Sequence, residues 1–215
     1  MHRLMQRFSV HPLNPQHRLM QQAAERMRSG ALIAMPTDAC YVLACHLGDK
    51  AAVDRMRQIR AIDAKQLLTL MCRDLSELAQ YAQVDNRQYR FLKDWTPGAY
   101  TFILPATKEL PRRLSHPSRK TVGLRVPDST IAQALLEALG EPVICTTLIL
   151  PGEKDPLTDP DDIEHRLAHQ VDLMIDGEAG RLEPTTVIDM TGEEPMVIRV
   201  GSGPIEQMAP TRSSR

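Results

Sequence analysis

The stretch Ala31-Leu32-Ile33-Ala34-Met35-Pro36-Thr37-Asp38-Ala39-Cys40-Tyr41-Val42-Leu43 decides how this chain is read. An apolar run delivers the backbone to a proline, and a hydroxyl, a carboxylate and a phenol follow within five residues. Pro36 has no N–H for a ladder and a fixed φ, so strand pairing stops there and a turn begins. Polar groups at a strand's end, on a loop held by a rigid sheet, are where α/β proteins commonly bind ligands. A strand that simply ends in a turn accounts for the stretch equally well, so the segments around it have to decide.

Outward from this stretch, helical and strand signals alternate. Gln16 to Ser29 carries Leu19, Ala23 and Met27 at helical spacing, with Gly30 as its stop. Ala31 to Met35 and Cys40 to His46 read as strands, and Lys50 to Ile59 as a helix. Strands follow at Leu67–Cys72, Tyr100–Leu104, Thr121–Val126, Val143–Leu150, Leu173–Ile175, Thr186–Asp189 and Met196–Arg199. Helices are expected after Asp74, from Arg87 to Asp94, from Ser129 to Leu139 and up to Ala168. About eight strands interleaved with five or six helices favour a layered α/β or α+β sheet. One domain over residues 10–205 is expected, with 206–215 as a frayed polar tail.

Composition narrows the function classes. The net charge of -1 gives no global attraction to nucleic acid or membrane, so any polyanion contact needs a local patch. No apolar run approaches the roughly 20 residues that cross a bilayer, and the basic N-terminus lacks the apolar stretch of a secretory signal. The four cysteines are scattered in apolar segments without zinc spacing, and they read as buried free thiols in a reducing cytosol. Eleven methionines against three phenylalanines and one tryptophan describe a core with little aromatic mass. His165 and His169 stand four apart on an expected helix, but no third ligand accompanies them, and no metal site is expected.

Three further segments carry chemistry. Arg55 to Lys65 holds Arg55, Arg57, Arg60 and Lys65 where a helix gives way to a loop. The helix dipole favours cations there, and guanidinium forks also match phosphate oxygens, so a solvated face and a phosphate patch both remain open. Thr121-Val122-Gly123-Leu124-Arg125-Val126-Pro127 places an arginine inside an apolar strand, where it must meet a carboxylate or face a cleft. Pro184-Thr185-Thr186-Val187-Ile188-Asp189 sets hydroxyls at one strand's start, and Arg199-Val200-Gly201 sets a cation at another's end.

In this order, Pro36-Thr37-Asp38-x-x-Tyr41-x-Leu43, Arg60-x-x-Asp63, Thr96-Pro97-Gly98-x-x-Thr101-x-Ile103-Leu104, the Thr121–Pro127 strand, Thr185–Asp189 and Arg199-x-Gly201 resemble the YrdC/YciO family over nearly the whole chain. The wording around Leu70–Leu78 and Gln133–Pro142 is most similar to the YciO branch. The resemblance implies a YrdC/RibB-like α/β (α+β) fold, a twisted open mixed sheet with helices on both faces around a basic cleft. It implies synthesis of threonylcarbamoyl-adenylate from L-threonine, bicarbonate and ATP with Mg2+, without a permanent cofactor, for the threonylcarbamoyl modification of tRNA. Members are also described as binding double-stranded RNA through the same cleft, which leaves a non-catalytic tRNA-, RNA- or ribosome-binding protein as the alternative.

Carried over residue by residue, Thr37, Tyr41 and Arg125 are the implied threonine contacts, with Arg125 on the substrate carboxylate. Arg57, Arg60, Thr121, Thr147, Thr185 and Arg199 are the implied nucleotide contacts, and Arg60 and Lys65 the implied catalytic cations. The sequence departs from the synthase pattern at three places: Gln58 stands where a lysine is usual, Ala64 where lysine or asparagine is usual, and Ile149 where an asparagine is usual. An isoleucine side chain cannot hydrogen-bond a nucleotide. Each loss implies a slower reaction, with Arg57 or Lys65 as the compensating cation. The chain's end soon after Gly203 implies that the second domain of some synthases is missing.

Overall fold

A computed structural model describes residues 4–179 and 181–206; the expected tail falls outside them from 207 onward. Ten strands form one mixed sheet: β1 Gln6–Ser9, β2 Ile33–Met35, β3 Val42–His46, β4 Thr69–Met71, β5 Tyr100–Pro105, β6 Thr121–Arg125, β7 Val143–Thr147, β8 Leu173–Asp176, β9 Thr186–Asp189 and β10 Met196–Arg199. Their spatial order is β1-β8-β2-β3-β7-β4-β6-β5-β9-β10. The helices are α1 His17–Arg28, α2 Lys50–Arg60, α3 Leu75–Tyr81, α4 Asn86–Trp95, α5 Thr130–Leu139 and α6 Pro160–Leu167.

Helix boundaries follow local chemistry. Asp49, Asp74, Ser129 and Asp159 each accept a first-turn backbone N–H, and Asp85 with Gln88 closes a reciprocal capping box on α4. At the other ends, α5 stops at Gly140 in the left-handed region, and α2 stops at Ala61, which adopts φ 49°. That unusual alanine turns the chain into the loop carrying Asp63 and Lys65.

The sheet begins earlier than expected. β1 pairs in parallel with β8, ahead of the expected domain start at residue 10. β7 ends at Thr147 instead of running to Leu150, because Leu148 N–H turns to the carbonyl of Tyr41 and Ile149 N–H to that of Thr147.

Two apolar clusters sandwich the sheet. On one face α1 and α5 place Met20, Ala23, Met27, Ile131, Leu135 and Leu139 against alternate residues of β8, β2, β3 and β7, reaching as far as Met71 of β4. On the other face Leu43, Leu70, Leu124, Phe102 and Ile188 pack with α2, α3, α4 and α6. Beyond Met71 the first face carries no helix from that cluster, and the sheet lies open across β4, β6, β5 and β9. Among the described residues no helix is long and apolar enough to cross a membrane. All four cysteines are free and buried.

Candidate functional site

The open half of the sheet is a cleft of about 380 Å³. Its floor is built from residues of the uncovered face, Thr69, Thr101, Ile103, Gly123, Thr147, Thr185 and Val187, and its rim includes Arg60, Gln66, Ile149, Ile198 and Arg199. Gly123 keeps the floor low, since a Cβ there would lie 3.1 Å from the Thr101 methyl and 3.4 Å from the Leu68 carbonyl oxygen. Hydroxyls on a strand's face offer both donor and acceptor capacity, which suits phosphate and sugar oxygens.

Arg199 reaches the cleft because β10 is irregular. Val197 pairs with Ile188 and Arg199 with Val187, so Ile198 is an extra residue against β9. Strict alternation would send Arg199 to the same side as Val197, toward the helical face. The bulge turns it over onto the side of Thr185 and Val187 instead. There its Nε and Nη2 donate to the Thr185 carbonyl at 3.2 and 2.9 Å, and the Thr185 and Thr101 hydroxyls are linked at 2.8 Å. Gly201 secures the hairpin's end: its N–H donates to the Thr186 hydroxyl at 2.9 Å, and a Cβ there would overlap the carbonyls of Pro184 and Thr185.

On the opposite flank Arg60, the last residue of α2, donates to the Ile149 carbonyl, and its Nε is buried without a partner. Desolvation lowers the pKa of both Arg60 and Arg199, opposed by the nearby Cys40 thiol. Both remain cations, and neither is ion-paired to a carboxylate among the described residues. Arg60 is half-buried and Arg199 is exposed, and a guanidinium without a counter-charge is favourably placed to take an anion.

Cys40 lies between these groups. Burial pushes its thiol up to about 11, while Arg125, a hydrogen bond with Thr147, and Arg199 pull the other way. The Pro36 turn closes on itself: the Thr37 hydroxyl donates to the Cys40 carbonyl at 2.8 Å and accepts from Ala39 N–H at 3.2 Å. Asp38 ion-pairs with Arg125, which answers the demand for a carboxylate beside a strand arginine; Asp38 Oδ2 and Arg125 Nε are left buried without partners. Thr121 lies two positions before Gly123 on β6, buried, with its hydroxyl unpartnered.

Six carried-over residues do not line the cleft: Thr37, Thr121 and Arg125, buried as described above, and Tyr41, Arg57 and Lys65. Tyr41 alternates to the helical face, where its hydroxyl donates to the Gly177 carbonyl at 2.8 Å and burial pushes it up to about 12. Arg57 donates to the carbonyls of Asp63 and Gln66 and braces the loop after α2. Lys65 is exposed on that loop, its backbone N–H held by the Asp63 carboxylate at 2.7 Å, and it does not line the cleft. His46 meets Glu141 at 2.9 Å, and among the described residues no group of three or more His, Cys, Asp or Glu side chains is arranged to hold a metal.

The family model for Sua5/YciO/YrdC proteins, described as telomere recombination, matches residues 25–201. The chain belongs to the Sua5/YciO/YrdC family. The crystal structure of E. coli YciO superposes with a TM-score of 0.90 at 52% identity, covering 94% of this chain and 98% of that one. A threonylcarbamoyl-AMP synthase of Vibrio vulnificus is 26% identical over 180 residues, 81% of this chain and 95% of the relative. The structure of P. abyssi Sua5 complexed with L-threonine gives a TM-score of 0.84 at 26% identity, covering 95% of this chain and 59% of that one.

Within this Sua5/YciO/YrdC chain the cleft thus gathers Arg60, Thr147, Thr185 and Arg199 of the carried-over set. It adds Thr69, Thr101, Thr146 and Gln66, to which the sequence reading gave no role. The usable signal was a hydroxyl at alternate positions of otherwise apolar strands, as in Thr101-Phe102-Ile103 and Thr69-Leu70-Met71.

Proposed function

We propose that this protein is an L-threonylcarbamoyladenylate synthase-like enzyme of the cytoplasm. It joins L-threonine, bicarbonate and ATP into threonylcarbamoyl-AMP, releases pyrophosphate, and so supplies the modification of tRNA. The observation that carries this reading is the pair of guanidiniums, Arg60 and Arg199, flanking a hydroxyl-lined floor with no carboxylate opposite them among the described residues. The relation to threonylcarbamoyl-AMP synthases and to a Sua5 protein complexed with L-threonine supports the same chemistry.

The reaction asks for positioning and charge stabilisation. The threonine amine bonds to the bicarbonate carbon, which loses the elements of water and leaves a carbamate. A carbamate oxygen then bonds to the α-phosphorus of ATP, and the bond from that phosphorus to the bridging oxygen breaks, with pyrophosphate carrying away the electron pair. Negative charge accumulates on the phosphoryl oxygens and the leaving group, where Arg60 and Arg199 supply donors. Mg2+ enters on the nucleotide's own phosphates. Thr101, Thr147 and Thr185 offer hydroxyls to the nucleotide, and Thr121 adds an unpartnered one. Arg125 is assigned the threonine carboxylate, a role supported by its unengaged Nε–H beside Asp38 and near Thr37.

The test is pyrophosphate release by the purified chain with ATP, bicarbonate and Mg2+, with and without L-threonine. Threonine-dependent release is expected. Release that ignores threonine, or none at all with ATP bound, overturns the reading.

A second reading, a non-catalytic RNA-binding protein using the same cleft, draws on Ile149 lining the cleft in place of a polar residue. RNA affinity then falls steeply with salt because bound phosphates release counterions, whereas threonine affinity responds weakly.

A further inference from the structure

A second recognition surface runs along β10, outside the cleft. β10 is the last strand of the sheet, paired to β9 on one side, and no described strand pairs with the other. Such edges template further pairing, and folded proteins usually guard them with charge, proline or a covering element. The opposite edge is guarded: β1 exposes Gln6, Arg7 and Ser9, and Arg7 is held by Asp161, Glu164 and Asp176 at 2.5, 2.9 and 2.7 Å. β10 differs. Met196, Ile198 and Val200 are 59%, 51% and 64% exposed, and its one charge, Arg199, is turned into the cleft onto Thr185.

On the helical face, the β9–β10 hairpin and α4 enclose a separate cavity of about 830 Å³. Phe91, Ile188, Met190 and Val197 give it apolar walls. Its rim holds the carboxylates of Asp85, Glu193 and Glu194 against one guanidinium, Arg87, which is already paired with Glu194. The strand edge, the exposed apolar residues and the acidic-rimmed cavity adjoin one another on a single hairpin.

We propose that β10 receives an extended basic segment of another protein, which adds to the sheet as an eleventh strand. Its main chain takes the free edge of β10, alternate apolar side chains cover Met196 and Ile198 or enter the cavity, and its cations face Asp85 and Glu193. A second copy of this chain fits less well. It brings Glu193 and Glu194 back against the same acidic rim, and a four-residue edge buries far less than the roughly 1,200 Å² of a stable interface. Nucleic acid is disfavoured by the same carboxylates. An occupant here stands beside the mouth of the cleft, because Ile198 and Arg199 line both the strand and the cleft.

The test uses the full chain and a fluorescein-labelled nonapeptide alternating lysine and valine, followed by anisotropy. A glutamate–valine peptide and a lysine–valine peptide with a central proline serve as comparisons. The basic peptide is expected to bind at least roughly tenfold more tightly than either, as charge complementarity and main-chain pairing require. Amide exchange at residues 196–200 slows on binding, and Met196→Asp and Glu193→Lys each weaken it several-fold with the circular dichroism spectrum unchanged. Equal affinity for the three peptides, indifference to both substitutions, or slowed exchange only elsewhere overturns the proposal. So does sedimentation as a dimer with the β10 amides protected before any peptide is added, which assigns the edge to a second copy.

Discussion

Asp38 and Arg125 form an ion pair that spans the sheet rather than joining neighbours. Asp38 lies in the turn between β2 and β3, and Arg125 ends β6, three strands beyond β3. Their side chains are 10% and 3% exposed, so each is the other's principal counter-charge in a dry setting. Losing one partner of such a pair leaves an uncompensated buried charge, at a cost of about 3–5 kcal/mol. Asp38→Asn and Arg125→Gln are each expected to destabilise the chain by that order in urea unfolding. The double substitution should cost at least about 1 kcal/mol less than the sum, because contacting residues are coupled. Strict additivity would show that the pair contributes nothing as a pair.

The bulge at Ile198 and the tight approach of Gly201 together aim Arg199. A methyl group at position 201 would come within 2.7 Å of the Thr185 carbonyl oxygen, so the hairpin's end must move and Arg199 with it. Gly201→Ala is therefore expected to weaken ATP binding by roughly tenfold or more, the scale of a charged hydrogen bond. Arg199→Ala should do the same, and combining them should add little, since both act through one guanidinium. Calorimetric titration with ATP reads this directly. An unaltered ATP affinity in Gly201→Ala would separate Arg199 from the nucleotide.

The uneven legibility of this molecule has physical causes. Apolar runs and capping residues mark most elements, as at Asp49, Asp85 and Ser129. β1 escaped because only Phe8 of its four residues is buried, and its partner β8 lies more than 160 residues away. Motif residues led to Arg60, Thr147, Thr185 and Arg199, but a threonine in a strand reads as an ordinary β-former until the sheet order shows which face is uncovered. That is why Thr69 and Thr101 gained a role only from topology. Tyr41 is the converse: its neighbours Cys40 and Val42 share the opposite face, so alternation carries the phenol away from the cleft. Arg57 and Lys65 stand beside departures from the family motif and were assigned as its compensating cations, whereas the loop around Asp63 decides where they point.

Four buried thiols make the fold sensitive to alkali. Burial raises Cys40 to about 11 and Cys45 and Cys145 to about 12, and it raises Cys72 as well. An unfolded thiol loses its proton near 9, where the folded thiols still hold theirs, so the unfolded state binds fewer protons above that pH. Stability is then constant below about pH 8 on this account and falls between 9 and 11–12, by about 1.4 kcal/mol per pH unit for each thiol. Urea midpoints measured from pH 7 to 10.5 check this. Replacing Cys145 with alanine should flatten the slope, and a slope equal to that of the parent chain would remove the thiols as its cause.

Two departures from the synthase pattern separate once their positions are known. Gln58 is exposed on α2 and does not line the cleft, so a lysine there would extend into solvent. Ile149 does line the cleft, and its backbone carbonyl already holds Arg60, a contact that any residue at 149 can keep. Ile149→Asn thus adds a polar side chain beside Arg60 without releasing it. It is expected to raise threonine-dependent pyrophosphate release by roughly tenfold, less than the about hundredfold or more of a preorganised donor, because a new side chain is not held in place. Gln58→Lys should change it less than about twofold, as distant exposed charges are screened. The reverse ranking would mean that α2 unwinds at its C-terminal turn when substrates bind, bringing position 58 to the phosphates.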